Sequence, residues 1–208
     1  MTGVQTCALP ILLAITLLYM TASVGEGIFT VLAPIYVREV LLGGAAAYGI
    51  VVSSFGLGAL AGAVAVGGLG WRWPLGRSIA AAVLGAGLVN TLLLVRPDTL
   101  ALVVILAGIG LCGSCLGAWA QTIRMRLIPP ELRGRVFAVL RTLMRATPPL
   151  GSLLGGALLA GSVADITVPV LLTSLLNVVP GAIALVHPAL GRAATGEPAA
   201  PVSASAPA

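Results

Sequence analysis

QTIRMRLIPPELRGRVFAVLRTLMRATPPLG, residues 121–151, is the most basic stretch of the chain. It holds six of the 11 arginine and lysine positions, and the chain has no lysine at all. Apolar sequence lies on both sides of it. Because arginine and lysine are retained on the cytoplasmic side of a bilayer, the pattern predicts a cytoplasmic loop between membrane spans. A patch for nucleic acid or another anionic partner is the alternative, but no soluble domain surrounds the stretch to carry one.

The composition describes a protein whose surroundings are lipid. The 208 residues are 59% hydrophobic and 8% charged, with a mean hydropathy of +1.11. Soluble domains carry about 25% charged residues. The formal net charge of +5 comes from arginines confined to a few loops, so it indicates topology and contact with anionic headgroups. We therefore expect the lipid bilayer as a partner and no nucleic acid.

Hydropathy predicts an all-α, polytopic membrane protein with six transmembrane helices. About 20 apolar residues in a helix cross the roughly 30 Å core of a bilayer. By that measure the spans cover residues 12–32, 48–69, 78–95, 99–123, 136–162 and 166–186. Residues 12–190 then form one bundle. The Ala/Pro/Ser-rich residues 191–208 are predicted to be a disordered cytoplasmic tail.

The distribution of arginines orients these spans. With the basic stretch in the cytoplasm, alternation of the spans leaves only Arg38 and Arg96 on the outer side, and each has an acidic neighbour. This bias predicts a multi-pass protein with both ends of the chain in the cytoplasm. The arginines on the cytoplasmic side are Arg72, Arg77, Arg124, Arg126, Arg133, Arg135, Arg141, Arg145 and Arg192.

The first residues are a special case. MTGVQTCALPI, residues 1–11, lacks the basic start of a signal peptide. It resembles instead the translation of a sequencing-library adapter, so we interpret it as a non-native artefact, with native sequence expected upstream. An ordinary polar N-terminus is the alternative.

Small residues inside the spans predict close helix packing. Three pairs have small-xxx-small spacing: Gly58/Gly62, Gly113/Gly117 and Gly151/Gly155. Such pairs let helix backbones approach each other in lipid, where no hydrophobic drive brings helices together. They indicate a tightly packed bundle.

Glu26 is the only acidic residue well inside a predicted span. A carboxylate there is costly, so it is a candidate proton-titrating group or contact for a substrate cation. The alternative is a structural, hydrogen-bonded side chain. Further polar groups within the spans are candidates for a substrate pathway or for hydrogen bonds between helices. They are Ser23, Ser53, Ser54, Asn90, Gln121 and Asn177.

Cofactor chemistry finds no support in the sequence. Cys112 and Cys115 form a C-x-x-C pair, but no second cysteine pair accompanies it, and the only histidine is His187. We interpret both cysteines as packing residues and expect no metal, no cofactor and no enzymatic activity. No P-loop is present, so this chain encodes no use of ATP.

The chain resembles the C-terminal half of a major facilitator superfamily transporter, in its multidrug and enterobactin-exporter-like group. The resemblance is carried by IPPELRGRVFAV, by PPLGSLLGG and by APIYVREVLLGGAAAYGIVVSSFGLGALAGA. It implies that the six spans are the seventh to twelfth of a bacterial plasma-membrane protein. It also implies a missing N-terminal half and a substrate site between the halves, with proton-coupled antiport that exports small amphipathic molecules. A self-assembling six-span binding or scaffold protein is the alternative.

The resemblance also identifies a cytoplasmic loop motif. In GGLGWRWPLGRS, Gly76 and Arg77 match the end of the family's glycine–aspartate–arginine motif. Trp73 replaces the expected aspartate and Pro74 a basic residue, which argues against a charge-relay role. The motif residues in the basic stretch are Arg124, Arg126, Arg133, Gly134 and Arg135.

One question about the basic stretch stays open. Arg133, Phe137, Arg141 and Arg145 share one helical face. Either this segment lies along the interface with its arginines on headgroups, or the fifth span starts early and Arg141 and Arg145 face the bundle. The resemblance favours the second arrangement, with the arginines serving packing and gating.

Overall fold

The computed structural model describes residues 3–68, 75–128, 130–160 and 166–186, with side chains from residue 13 onward except that of residue 127. Six long α-helices and no strand occur within these residues, which confirms the all-α fold class. The helices are α1 (Gly3–Ile35), α2 (Ala45–Gly68), α3 (Leu75–Thr91), α4 (Thr99–Leu127), α5 (Arg133–Ala160) and α6 (Thr167–Val186). The predicted tail and His187 lie outside the described residues.

Some helices extend further than the hydropathy predicted. α1 continues through Pro34 into a π-helical turn, Tyr36–Val40, because Tyr36 and Val37 are buried and hold this extra turn on the bundle. α4 begins where predicted, at Thr99. The Asp98 side chain accepts a hydrogen bond from the Ala101 amide at 3.0 Å and thereby caps the helix. At its other end α4 runs past residue 123 to Leu127.

Among the described residues, five segments are long and apolar enough to cross a membrane. They are Leu13–Val40, Ala45–Gly68, Leu75–Val95, Thr99–Arg126 and Thr167–Val186. α5 is not one of them, because arginines occupy its first half and Pro148 and Pro149 its middle. Its 28 residues nevertheless pack lengthwise against α1. A sixth span along α5 therefore stays a prediction.

Helix pairing divides the bundle into two equivalent units. The main pairs are α2 with α4, α1 with α5, and α3 with α6, followed by α3 with α4 and α1 with α6. If α1, α2 and α3 are taken as equivalent to α4, α5 and α6, each pair has an equivalent pair in the same set. The α2–α4 pair corresponds to the α1–α5 pair, the α3–α4 pair corresponds to the α1–α6 pair, and the α3–α6 pair corresponds to itself. The bundle is thus an internal repeat of three helices. The second unit runs opposite to the first, as in transporters built from inverted repeats.

Glycines allow the closest helix approaches. A Cβ on Gly27 would overlap the carbonyl oxygen of Pro148, and one on Gly151 would overlap that of Val24, so α1 and α5 touch through their backbones. A Cβ on Gly58 would likewise overlap the Ala107 carbonyl between α2 and α4. Since packing drives helix association in lipid, these contacts stabilise the bundle.

The prediction from small-residue spacing is confirmed in part. Gly58/Gly62 and Gly151/Gly155 both lie at helix crossings. It is wrong for Gly113 and Gly117, where an added Cβ would meet no described atom within 4 Å. These two glycines line cavities instead. The α4 glycine that meets α2 is Gly110, a position that the spacing did not single out.

Two apolar clusters close the bundle at its two ends. The first, around Ile15, Ile79 and Trp119, lies near the basic end of the helices, and the second, around Leu32 and Leu93, lies at the opposite end. Between them the helices part and leave the polar groups of α1 facing open space. That space contains the candidate site.

Candidate functional site

One face of α1 forms the centre of the candidate site. Tyr19, Ser23 and Glu26 follow one another at i, i+4 and i+7, so they lie along a single helical stripe. All three line two neighbouring cavities, one apolar and one basic. The α1 stripe is therefore the wall that the two cavities share.

The apolar cavity has a volume of about 280 Å³ and is lined from α1, α2, α3, α4 and α6. Besides Tyr19, its wall contains three aromatic side chains: Phe29 from α1, and Tyr48 and Phe55 from α2. A mostly apolar wall with a few polar groups is typical of small-molecule sites, and the volume lies just below their usual range of about 300–1,000 Å³. The sequence does not single out these aromatic residues, because nothing in their spacing separates a cavity wall from a packed core.

Asn90 and Asn177 line the apolar cavity, and both amide nitrogens are hydrogen-bonded to residues of α6. The Asn90 amide nitrogen donates to the Thr173 hydroxyl at 2.6 Å and to the Ser174 hydroxyl at 3.3 Å. The Asn177 amide nitrogen donates to the Thr173 carbonyl at 2.8 Å. The Asn90 bonds join α3 to α6. Both amides thus have a structural role within the cavity wall.

The basic cavity has a volume of about 550 Å³ and lies between α1, α4 and α5. Gln121 and Arg124 line it from α4, and Arg141 and Arg145 from α5. Glu26 is the acidic residue among its lining side chains. The structure therefore places Glu26, Ser23 and Gln121 around one cavity, and Asn90 and Asn177 around its neighbour.

Arg124 does not lie in the cytoplasmic loop where the sequence predicts it. It lies inside α4 and is only 3% exposed, with its guanidinium carbon 5.4 Å from the centre of the Tyr19 ring. Arg126 also lies within the end of α4, but it is exposed and lines neither cavity. The sequence predicts both in the loop because a charged side chain lowers the hydropathy on which the predicted end of the span depends.

Arg133 holds the turn between α4 and α5. Its Nε donates to the Ile128 carbonyl at 3.1 Å and its Nη2 to the Met125 carbonyl at 3.0 Å. Carbonyls at a helix end lack partners within the helix, and a cation there also interacts favourably with the helix dipole. Arg133 therefore caps α4 from the first turn of α5.

The other residues of the loop motif are spread around the same end. Gly134 and Arg135 are exposed in the first turn of α5. Gly76 is buried and Arg77 exposed at the start of α3. Arg72, Trp73 and Pro74 lie outside the described residues.

The face shared by Arg133, Phe137, Arg141 and Arg145 belongs to one continuous helix, α5. Phe137, Arg141 and Arg145 line the basic cavity. This arrangement supports an early start of the fifth helix, with arginines directed at the bundle, over a separate helix on the interface.

The remaining candidates lie apart from the α1 stripe. Ser53 is exposed and lines neither cavity, whereas Ser54 is buried and donates to the Val51 carbonyl of its own helix at 2.6 Å. Cys112 lines the apolar cavity. The Cys115 thiol lies 3.7 Å from the Gly62 carbonyl, at the crossing of α2 and α4, which fits a packing role.

Comparison with known proteins agrees with this architecture. The model of one family, Major Facilitator Superfamily, matches residues 15–207. Searches among curated proteins and among solved structures find no match. Members of the matching family are multi-pass membrane transporters that handle small-molecule substrates within the bilayer. Because the match covers most of the 208 residues, the chain belongs to the major facilitator superfamily.

Proposed function

We propose that the chain supports proton-coupled export of small amphipathic molecules, with Glu26 as the proton-titrating group. The observation that carries this proposal is the position of Glu26 in the wall shared by the apolar and basic cavities. No described cation lies within ion-pair distance of its carboxylate, since the one described ion pair joins Arg38 and Glu39 at 3.5 Å. Glu26 is also exposed, so protons and ligands can reach it.

Glu26 is suited to coupling because of where it lies. A carboxylate within the depth of a membrane is costly when it is charged and has no partner, so such residues mark proton relays and substrate sites. A substrate that fills the apolar cavity meets this carboxylate directly, because Phe29 lies one turn further along α1 in the same wall. Proton and substrate then act on one side chain, which is the condition for coupling.

The cavities also fit amphipathic substrates. The apolar cavity offers aromatic rings and a few amide and hydroxyl groups, and such surfaces bind many apolar bodies without tight shape selection. We propose further that a second six-helix half covers the cavities and that the two halves rock about the site to give alternating access. The proposal places the protein in a bacterial plasma membrane with both chain ends in the cytoplasm.

Glu26→Gln tests the proposal. In vesicles carrying the intact transporter, with both halves, we expect a proton gradient to drive efflux of the neutral dye N-phenyl-1-naphthylamine. Glu26→Gln removes the titrating proton while keeping shape and volume. It should lower this efflux at least about tenfold, because a neutral amide cannot take up and release the coupled proton.

Glu131→Gln is the matched control, because Glu131 is exposed in the turn before α5 and lines neither cavity. We expect it to keep efflux within about twofold of the unsubstituted protein. Equal efflux in the Glu26→Gln and unsubstituted proteins, at equal expression, would show that Glu26 is not the coupling group.

A further inference from the structure

Arg124 is a buried charged side chain with unused hydrogen-bond donors. It is 3% exposed, and its Nε and Nη2 atoms have no partner among the described residues. The Tyr19 ring covers one face of the guanidinium but accepts no conventional hydrogen bond from those atoms. Leaving charged donors unpaired in a buried place is costly. Arg124 lines the adjoining cavity, where a bound anion would compensate the charge of its guanidinium.

Two more arginines line the same cavity from α5. Arg141 and Arg145 are four residues apart and therefore face the same way. α5 runs parallel to α1, since Gly151 lies against Val24 and Gly155 against Ile28. Arg145 precedes Gly151 by six residues, which brings it close to the depth of Tyr19 and thus of Arg124.

The net charge of the side chains that line the basic cavity favours binding of an anion at the depth of Tyr19 and Arg124. Arg124, Arg141 and Arg145 line the cavity with Glu26 as the acidic residue, which leaves an excess of two positive charges among these four groups. Glu26 lies seven residues beyond Tyr19 on α1, about 10 Å along the helix. The positive end of the cavity is thus separate from the carboxylate.

We propose that Arg124, with Arg145 and Arg141, binds the anionic group of an amphipathic organic anion whose apolar body fills the neighbouring apolar cavity. Carboxylate, sulfonate and phosphate groups all match the planar fork of an arginine guanidinium. The inference rests on the proposed function, because it names the class of substrate for the same site. The shared α1 stripe explains how one ligand reaches both cavities.

A pair of dyes separates the anionic group from the apolar body. 8-Anilinonaphthalene-1-sulfonate and N-phenyl-1-naphthylamine share their aromatic rings, and only the first carries a sulfonate. Both are titrated into the full chain in phosphatidylcholine nanodiscs, with fluorescence corrected by empty nanodiscs.

Arg124→Gln should weaken binding of the sulfonate by about tenfold or more, as expected for the loss of a hydrogen bond between charged groups, and change binding of the neutral dye less than about twofold. Arg145→Gln alters an exposed side chain of the same cavity and should weaken only the sulfonate, by about threefold. Arg126→Gln is the matched control on α4. Unchanged binding of the neutral dye shows that each variant is folded.

Three results of these dye titrations would overturn the assignment. The first is a sulfonate affinity that survives both Arg124→Gln and Arg145→Gln, which would mean that water alone satisfies the arginines. The second is an equal loss for both dyes, and the third is an equal loss in Arg126→Gln. A neutral dye that still binds and is still exported in any of these cases leaves the transport proposal standing.

A lipid phosphate has the same chemistry as a substrate anion, so the lipid is varied as well. Replacing half of the phosphatidylcholine by phosphatidylglycerol should change the sulfonate affinity of the unsubstituted chain by less than about twofold. Both titrations are done in enough salt to screen the negative surface charge of phosphatidylglycerol. Competition by phosphatidylglycerol that disappears in Arg124→Gln would assign the site to a lipid headgroup and overturn the substrate assignment.

Discussion

Replacing Gly151 by alanine tests the closest contact between α1 and α5. The added Cβ would overlap the carbonyl oxygen of Val24, and helix backbone cannot move aside as a flexible side chain can. Gly156 lies five residues further along the same helix, and a Cβ there would meet no described atom within 4 Å. Gly151→Ala and Gly156→Ala are therefore the same chemical change in two different surroundings.

The expected magnitude follows from that pairing. Alanine has a higher intrinsic helix propensity than glycine by up to about 1 kcal/mol, and this gain is common to both variants. Forcing one extra methyl into a packed contact costs typically about 1–3 kcal/mol. We therefore expect the free energy of unfolding of Gly151→Ala to be about 1–3 kcal/mol lower than that of Gly156→Ala. Gly155→Ala should fall between them, since its Cβ would lie 3.1 Å from the Ile28 Cα.

Unfolding by sodium dodecyl sulfate in mixed micelles, followed by intrinsic tryptophan fluorescence, measures these differences. The three variants should rank in stability as Gly156→Ala, Gly155→Ala and Gly151→Ala, from highest to lowest. Equal midpoints for Gly151→Ala and Gly156→Ala would refute the reasoning, because the α1–α5 approach would then tolerate a side chain. The reverse order would show that helix propensity, and not interhelical contact, decides stability here.

Three further predictions concern polar groups. Asn90→Ala removes the two hydrogen bonds from α3 to α6 and should lower the free energy of unfolding by about 1–2 kcal/mol in the same titration, and an unchanged midpoint would contradict this. Arg133→Gln should cost about 1 kcal/mol and speed amide hydrogen exchange at the end of α4, whereas the exposed Arg135→Gln should leave that exchange unchanged. In a cysteine-free background, a membrane-impermeant maleimide should label Thr99→Cys in intact cells and Glu131→Cys only after permeabilisation, and the opposite result would invert the proposed topology.

The fold was largely predictable because the bilayer imposes few solutions. Apolar runs of about 20 residues can only be helices in lipid, so the helices between residues 45 and 127 were found almost to their ends. The placement of α5 is not established by hydropathy in this way. Its arginines and prolines reduce its hydropathy, so it falls outside the five apolar spans, and only contact with α1 shows how it is placed.

The candidate site was less predictable, since cavities arise where helices part. Glu26 was recognisable from the cost of a carboxylate in a span. The burial of Arg124 was not, because an arginine at the end of an apolar run has the same local sequence whether it faces headgroups or a cavity. Gly113 and Gly117 show the same limit: their spacing equals that of Gly58 and Gly62, but only contact with another helix decides which glycines pack.

The polar side chains of the α1 stripe have no polar counterparts in the second repeated unit. Gly27 of α1 contacts α5 as Gly110 of α4 contacts α2, so these two glycines are equivalent positions, 83 residues apart. The same offset relates Ser23 to Leu106 and Glu26 to Ile109. Leu106 and Ile109 line the apolar cavity as Ser23 and Glu26 do, so equivalent positions of the two units face the same space. Both units thus line the cavity with equivalent positions, but these positions are polar in α1 and apolar in α4. Under the proposed function, a proton taken up at Glu26 therefore acts on the first of the two three-helix units, because the equivalent position in the second unit is the apolar Ile109.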